Sequence, residues 1–293
     1  MQIPHVNYVS RYKVLSAVWD SPFIGKGTLS RALSKMLIPK PTGEVVARTI
    51  YGFDLLINPA IDNGVEHSLY YFGTYEKGTL HFIRQHLKPG EVFLDIGANI
   101  GLMSLFAAQC AGTQGKVYSF EANPDTAKIL RYNIHLNQSH NIEVVEKAIG
   151  NAHGSIKIYA NWSVNRGGAT LIKPKEEGAS YQVELTRMDD FEYLQTQPVA
   201  MAKIDVEGFE LDVLKGMHKL LSRPEAPALI VECSADRNNH YESVYQIYDY
   251  IKSVNHYRIY KLSHTKERMG SLVEVTTKEN LPKHDNIFCI QSR

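Results

Sequence analysis

The chain has 293 residues, 44% of them hydrophobic and 22% charged, with 32 Lys plus Arg against 31 Asp plus Glu. That length can bury a full core, the near-zero balance provides no general field for recruiting RNA or DNA, and no apolar run approaches the length of a membrane span. The three cysteines, Cys110, Cys233 and Cys289, are odd in number and lack metal-ligand spacing. They read as buried free thiols, and with a start that lacks the regions of a signal peptide the expectation is a soluble, cytoplasmic protein.

In chain order, residues 28–37 place Leu29, Ala32, Leu33, Met36 and Leu37 on one helical face. Such a helix has to rest on something: the body of the protein, a second copy in a homodimer or, more weakly given the few basic residues, a membrane surface. Residues 45–57 read as two strands around Tyr51-Gly52, stopped by Asn58-Pro59. Residues 61–76 are rich in aromatics, and Gly73 and Gly78 are expected to break any helix there. An amphipathic helix follows at 79–87 and ends at Lys88-Pro89-Gly90.

Residues 92–96 form a buried strand, and from Ile100 to Ala111 the apolar spacing is helical, so the chain turns at Gly97–Gly101. A strand, a glycine turn and a helix start let a ligand approach backbone N–H groups expected to be unpaired. The spacing Gly97-x-Asn99-x-Gly101 departs from the dinucleotide G-x-G-x-x-G and disfavours a diphosphate. Strand two is 116–120. Asn123-Pro124-Asp125 starts a helix to about residue 137, and 142–145 is strand three. Two alternating stretches, 155–160 and 181–187, make an inserted hairpin around a polar loop at 165–168. Strand four is 199–206, followed by a helix at 210–221, strand five at 228–233, a long helix at 241–254 and strands at 257–262 and 286–291. The order predicts an α/β fold with a mostly parallel, seven-stranded Rossmann-like sheet, its last strand antiparallel. Residues 1–78 form an N-terminal helical segment and β-hairpin, a cap, dimerisation or substrate element, and 79–293 form the main domain.

Asp95 ends strand one, where a carboxylate repels phosphate but suits an ammonium group, as S-adenosylmethionine carries. Glu121, twenty residues past Gly101, stands where an acid holds ribose hydroxyls. Strand four ends in Asp205 and Glu207, expected on one side of the strand, and strand five ends in the neighbouring Glu232. Acids in one pocket raise one another's pKa, which makes Asp205 the expected general base with Glu207 or Glu232 as orienting partner. Acids at adjacent strand tips can also hold Mg²⁺ or Ca²⁺, but no His or Cys supports them at metal spacing and no metal is expected. His240 is a reserve base near the acceptor, and Asn165 and Arg166 of the inserted loop are assigned to acceptor binding.

Together, Gly73-Thr-Tyr-Glu76, Leu94-Asp-Ile-Gly-Ala-Asn-Ile-Gly101, Phe120-Glu-Ala-Asn-Pro124, Ala148-Ile-Gly150 and Lys203-Ile-Asp-Val-Glu-Gly-Phe-Glu210 resemble the FkbM family of S-adenosylmethionine-dependent methyltransferases over roughly residues 70–233. The resemblance implies a class I methyltransferase fold and O-methylation of a sugar, polysaccharide or natural product in the cytoplasm. It implies that Asp95, Gly97, Asn99 and Gly101 line the methionyl part of the cofactor and Glu121 its ribose. Residues about Ala148 would meet the adenine edge, and Tyr75 and Glu76 would close over the whole, with Ala98, Ala122 and Asn123 of the same motifs beside them. Two other classes compete: a methyltransferase-fold protein acting on nitrogen or nucleic acid, and a non-catalytic cofactor-binding module.

Overall fold

The computed structural model describes residues 3–20, 25–159, 180–234 and 241–292. From the N-terminus, strand β1 (His5–Val6), helices α1 (Val9–Asp20) and α2 (Lys26–Leu37) and strands β2 (Val45–Arg48) and β3 (Asp54–Ile57) precede helices α3 (Val65–Phe72) and α4 (Lys77–His86). Two βα units follow as β4 (Val92–Ile96), α5 (Leu102–Ala111), β5 (Lys116–Phe120), α6 (Pro124–Leu136) and β6 (Ile142–Val145). Next come β7 (Ala148–Ile149), β8 (Gly154–Tyr159), β9 (Ser180–Thr186), α7 (Glu192–Thr196), β10 (Met201–Ile204), α8 (Glu210–Gly216) and α9 (His218–Leu221). The last elements are β11 (Ala228–Ser234), α10 (Tyr241–Val254), β12 (Tyr257–Leu262), β13 (Leu272–Glu274) and β14 (His284–Gln291).

The apolar runs of β4 and β10 are buried along their whole length, as strands covered by helices on both faces must be. They sit at the centre of a sheet ordered β13-β12-β14-β11-β10-β4-β5-β6. The five strands from β11 to β6 run parallel, while β14 lies antiparallel between β11 and β12. The chain moves outward from β4 to β6 and then returns to β10 on the other side. The crevice at the carboxyl ends of β4 and β10 is therefore the topological switch point where ligands bind in such sheets.

The fold is the α/β, Rossmann-like one expected, with further elements that include an eighth strand in the main sheet and helix α1. An eighth strand, β13, pairs with β12 at the sheet edge; three residues are too few to show a period of two. Helix α1 was not foreseen because Val14, Ala17 and Val18 interrupt the face carrying Val9, Tyr12 and Leu15. Burial of Tyr12 and Leu15, with the Tyr12 hydroxyl donating to the Tyr70 carbonyl at 2.8 Å, holds it in place. The two glycines expected to break helices do something narrower. Gly73 ends α3 in the left-handed conformation, with φ 68°. Gly78 lies inside α4, where a side chain would meet the Arg268 carbonyl oxygen at 2.5 Å.

Two asparagines tie the N-terminal hairpin to the main sheet's helices. Asn133 of α6 and Asn137, which caps its C-terminus one turn later, accept from the backbone N–H groups of Leu56 (2.7 Å) and Asp54 (2.8 Å). Asn133 Nδ2 also donates to the Ile100 carbonyl at 2.9 Å. Side chains thus satisfy part of the edge of β3 and anchor it to the turn after β4.

Candidate active site

The turn after β4 is built from left-handed residues at every second position: Gly97 (φ 83°), Asn99 (φ 51°) and Gly101 (φ 96°). Its N–H groups are all engaged internally. Gly97 and Ala98 donate to the Phe120 carbonyl, Asn99 to Glu121 Oε2, Ile100 to Asn99 Oδ1, and Gly101 to the Ala98 carbonyl. This corrects the expectation of unpaired N–H groups facing a ligand: the loop spends them on its own closure and on Glu121. A side chain at Gly97 would be driven into the Asp205 carbonyl oxygen, and one at Gly101 would meet Leu130 Cδ1 at 2.5 Å. The glycines therefore permit close packing of neighbouring loops.

Glu121, at the tip of β5, accepts at both oxygens, from Asn99 N–H and Asn123 N–H at 2.8 Å each. Burial pushes its carboxyl up to about 7, against those two hydrogen bonds and with help from the charge of Asp95. Each oxygen retains a lone pair, so a ligand diol has two acceptors available at one site.

Asp95 lies beneath the turn, wholly buried and in register with Ser119 and Lys203 of the neighbouring strands. Ser104 Oγ donates to its Oδ2 at 2.5 Å and lies 2.7 Å from Ser119 Oγ. Burial raises the Asp95 carboxyl, with Lys203 and the Ser104 hydroxyl opposing. It is a support inside the sheet, behind the cleft.

The cleft above, about 1140 Å³ including its open mouth, is lined by Tyr75, Glu76, residues 96–100, Glu121 to Asn123, Lys147 to Ile149, Lys203, residues 205–207, Phe209, Glu232 and Lys266, among others. Strand β10 ends at Ile204, one residue before Asp205, and the chain turns at Glu207 (φ 56°) and Gly208 (φ 103°). Asp205 and Glu207 therefore reach the cleft from a loop rather than from one side of a strand, a correction of the expected strand-four boundary. Glu210, the first residue of α8, closes this loop, Oε1 accepting from Gly208 N–H (3.0 Å) and Val206 N–H (3.2 Å).

Two buried lysines organise the acids. Lys203 Nζ is 2.7 Å from Asp205 Oδ2. Lys266 Nζ is 2.6 Å from Glu76 Oε1 and 3.3 Å from Glu232 Oε1. Burial alone would raise the Asp205 carboxyl, but Lys203 and Lys266 outweigh it and hold the group well below the usual carboxylate range; a hydrogen bond from Glu232 adds to this. Burial and the charge of Asp205 push Glu232 up. The two carboxyls are thus pushed in opposite directions, Asp205 towards the ionised form and Glu232 towards the protonated one. Asn286 Nδ2 completes the seat of Glu76 at 3.0 Å.

Of the residues singled out in the sequence, Tyr75, Glu76, Gly97, Ala98, Asn99, Glu121, Ala122, Asn123, Ala148, Asp205, Glu207 and Glu232 border this one cleft, while Asp95 and Gly101 stand behind it. Asn165, Arg166 and His240 lie outside the described residues. Sequence reasoning missed Lys266, Asn286 and the apolar wall that Ile158 and Phe209 form with Ile149 of the expected adenine edge. Lys266 sits between β12 and β13, where no local pattern marks it. Phe209 belongs to the strand-four motif and was passed over as apolar.

The lining carries five carboxyl groups, Glu76, Glu121, Asp205, Glu207 and Glu232, against three ammonium groups, Lys147, Lys203 and Lys266. With no N–H of the 97–101 turn left for a phosphate and both Glu121 oxygens able to accept, the cleft suits a nucleoside with a free diol better than a dinucleotide. S-adenosylmethionine, which bears an ammonium, a sulfonium and a ribose diol, fits that description. The fold and cleft define a Rossmann-like cofactor-binding domain of the methyltransferase type. A family model described as "Methyltransferase FkbM domain" matches residues 95–259; the chain belongs to this family, and its cofactor is S-adenosylmethionine. It is 26% identical over 149 residues to Methyltransferase 1 of Beauveria bassiana, covering 44% of this chain and 59% of that one. Over 164 residues it is 26% identical to Methyltransferase sdnD of Sordaria araneosa, covering 45% and 62%. Hexuronic acid methyltransferase AglP of Haloferax volcanii is 27% identical over 146 residues, covering 50% and 58%. The chain spans less than two thirds of each of these relatives. Among the described residues no helix is long and apolar enough to cross a membrane, and no group of three or more His, Cys, Asp or Glu is placed to hold a metal ion.

Proposed function

We propose that this protein is an O-methyltransferase, acting on a hydroxyl of a sugar, polysaccharide or natural product. The observation that carries the reading is the half-buried Asp205 carboxylate, which lines the cofactor cleft with Glu232 and has Lys203 Nζ 2.7 Å away. The name of the AglP relative, a hexuronic acid methyltransferase, supports a sugar-type acceptor.

When bound, the cofactor supplies a methyl group already activated by its sulfonium, so the protein has to align an acceptor oxygen and take its proton. Asp205 is ionised because Lys203 and Lys266 stabilise its charge, and it can accept a hydrogen bond from the acceptor hydroxyl. As the acceptor oxygen took the methyl group and the methyl's bond to sulfur broke, leaving the neutral thioether, the hydroxyl proton would pass to Asp205 and from there to water. A carboxylate held this low is a weak base, so orientation by Asp205 outweighs proton abstraction in rate enhancement. Tyr75 and Glu76 border the cofactor, and Glu121 receives its ribose hydroxyls. Asn165, Arg166 and His240 remain proposed acceptor contacts, and a cytoplasmic setting remains part of this reading.

The test is incubation with methyl-labelled S-adenosylmethionine and a library of glycans and polyol natural products, read by mass spectrometry. Asp205→Asn is expected to lower kcat by about 10²–10⁴ with S-adenosylhomocysteine affinity intact. Exhaustive EDTA treatment is expected to change nothing, and recovery of lost activity on adding Mg²⁺ or Ca²⁺ would reassign Asp205 as a metal ligand. Near-normal kcat in Asp205→Asn would remove it from either role.

A further inference from the structure

Helix α2 covers only part of its apolar stripe, with Leu33 and Leu37 half-buried against the core. Its inner face carries Ser30 and Ser34, both buried, whose hydroxyls donate to the Leu15 carbonyl (3.4 Å) and the Arg31 carbonyl (2.8 Å). Leu29, Ala32 and Met36, spaced i, i+3, i+7, face outward and are exposed, Leu29 by 42% and Met36 by 73%. An amphipathic helix that packed only on its own protein would hide the leucine and methionine and expose the serines. On neighbouring α1, Val14 is also exposed, by 53%.

The charge around this strip is mostly positive. Between residues 3 and 43 stand Arg11, Lys13, Lys26, Arg31, Lys35 and Lys40 against a single acid, Asp20, in a chain whose overall balance is +1. Lys13, Arg31, Lys35 and Lys40 are exposed. Apolar side chains at the crest of a helix with cations beside them match the interface of an anionic bilayer, where the apolar groups enter the headgroup boundary and the cations meet lipid phosphates and carboxylates.

The helix pair also bears on the cleft entrance. The ring of Tyr12 packs against Gly73, Lys77 Nζ lies 2.8 Å from Ser16 Oγ, and Arg268 donates to the Trp19 carbonyl at 3.4 Å. Lys77 directly follows Glu76, and Arg268 is two residues from Lys266, both in the cleft lining.

We infer that the outward face of α2, with Val14 and Lys13 of α1, docks this protein on anionic lipid surfaces. The inference is independent of which acceptor is methylated, and its test reads binding alone. The full-length chain is sedimented with vesicles of phosphatidylcholine, with and without phosphatidylserine. Binding is expected only with phosphatidylserine and is expected to weaken with added salt. Arg31→Gln with Lys35→Gln should lower partitioning roughly 25-fold, about fivefold for each charge removed. Leu29→Ser with Met36→Ser should lower it at least tenfold, the helical circular dichroism and S-adenosylhomocysteine affinity of both variants staying at wild-type values. Equal binding to both vesicle types, or wild-type binding by both double variants, would overturn the inference. So would absence of vesicle binding together with dimers that dissociate on Leu29→Ser and Met36→Ser, which would assign the face to a second copy of the chain.

Discussion

Replacing Glu121 by Gln tests the electrostatics of the cofactor cleft at one atom. Glu121 is only 8% exposed, and burial moves its carboxyl from 4.5 to about 7. At 1.36 kcal/mol for each tenfold change in proton affinity, this is about 3 kcal/mol of preference for the protonated form in the folded protein. Because the folded value lies above the unfolded one, the contribution is fully present below about pH 4.5 and is lost as pH rises through about 7. Glutamine keeps the shape and one acceptor but does not titrate. Urea unfolding from about pH 4.5 to about pH 8 should therefore show the wild type losing about 3 kcal/mol more than Glu121→Gln across that interval. The fixed cost of leaving one of the Asn99 and Asn123 N–H groups without an acceptor, about 1–3 kcal/mol, offsets the two curves but does not change their difference in slope. Cofactor binding should show the opposite sign. An ionised Glu121 accepts better from ribose hydroxyls, so wild-type affinity for S-adenosylhomocysteine should rise with pH up to about 7 and then level, while the variant stays flat and about 10-fold or more weaker. Parallel stability curves, or parallel affinity curves, would refute the assignment of Glu121 as a buried, titrating ribose acceptor.

Lys266→Met should cost about 3–5 kcal/mol in urea unfolding, since it leaves the buried Glu76 without the ammonium group 2.6 Å away. Adding Glu76→Gln should restore more than half of that loss; no recovery would show that Lys266 acts by packing its loop. Gly97→Ala combines a left-handed backbone with a clash against the Asp205 carbonyl and should destabilise by about 3 kcal/mol or more. Gly101→Ala should cost less, because its new methyl meets only the movable end of Leu130, and equal losses in thermal unfolding would refute the difference.

The sequence by itself determined what depends on neighbours along the chain. The βα alternation, the turn at 97–101, Asn123 accepting from Asp125 N–H at 3.0 Å with Pro124 at the first helical position, and the acids at strand ends all follow from periodicity and local backbone preference. Those signals were enough to bring Glu121, Asp205 and Glu232 to one sheet edge. Only the tertiary structure decided how the acids are balanced. Lys266 meets Glu76 from 190 residues away because the loop after β12 is held against β14, the Lys266 N–H donating to Asp285 Oδ1 at 3.0 Å. No hydrophobic period encodes that adjacency. The same holds for the N–H groups of Gly97, Ala98 and Asn99, which Phe120 and Glu121 engage from across the sheet, and for α2, whose single apolar face in the sequence divides in space into half-buried Leu33 and Leu37 and exposed Leu29 and Met36. A helical pattern records which residues share a stripe; which part of it is covered depends on what packs there, and that contact is set by the rest of the chain.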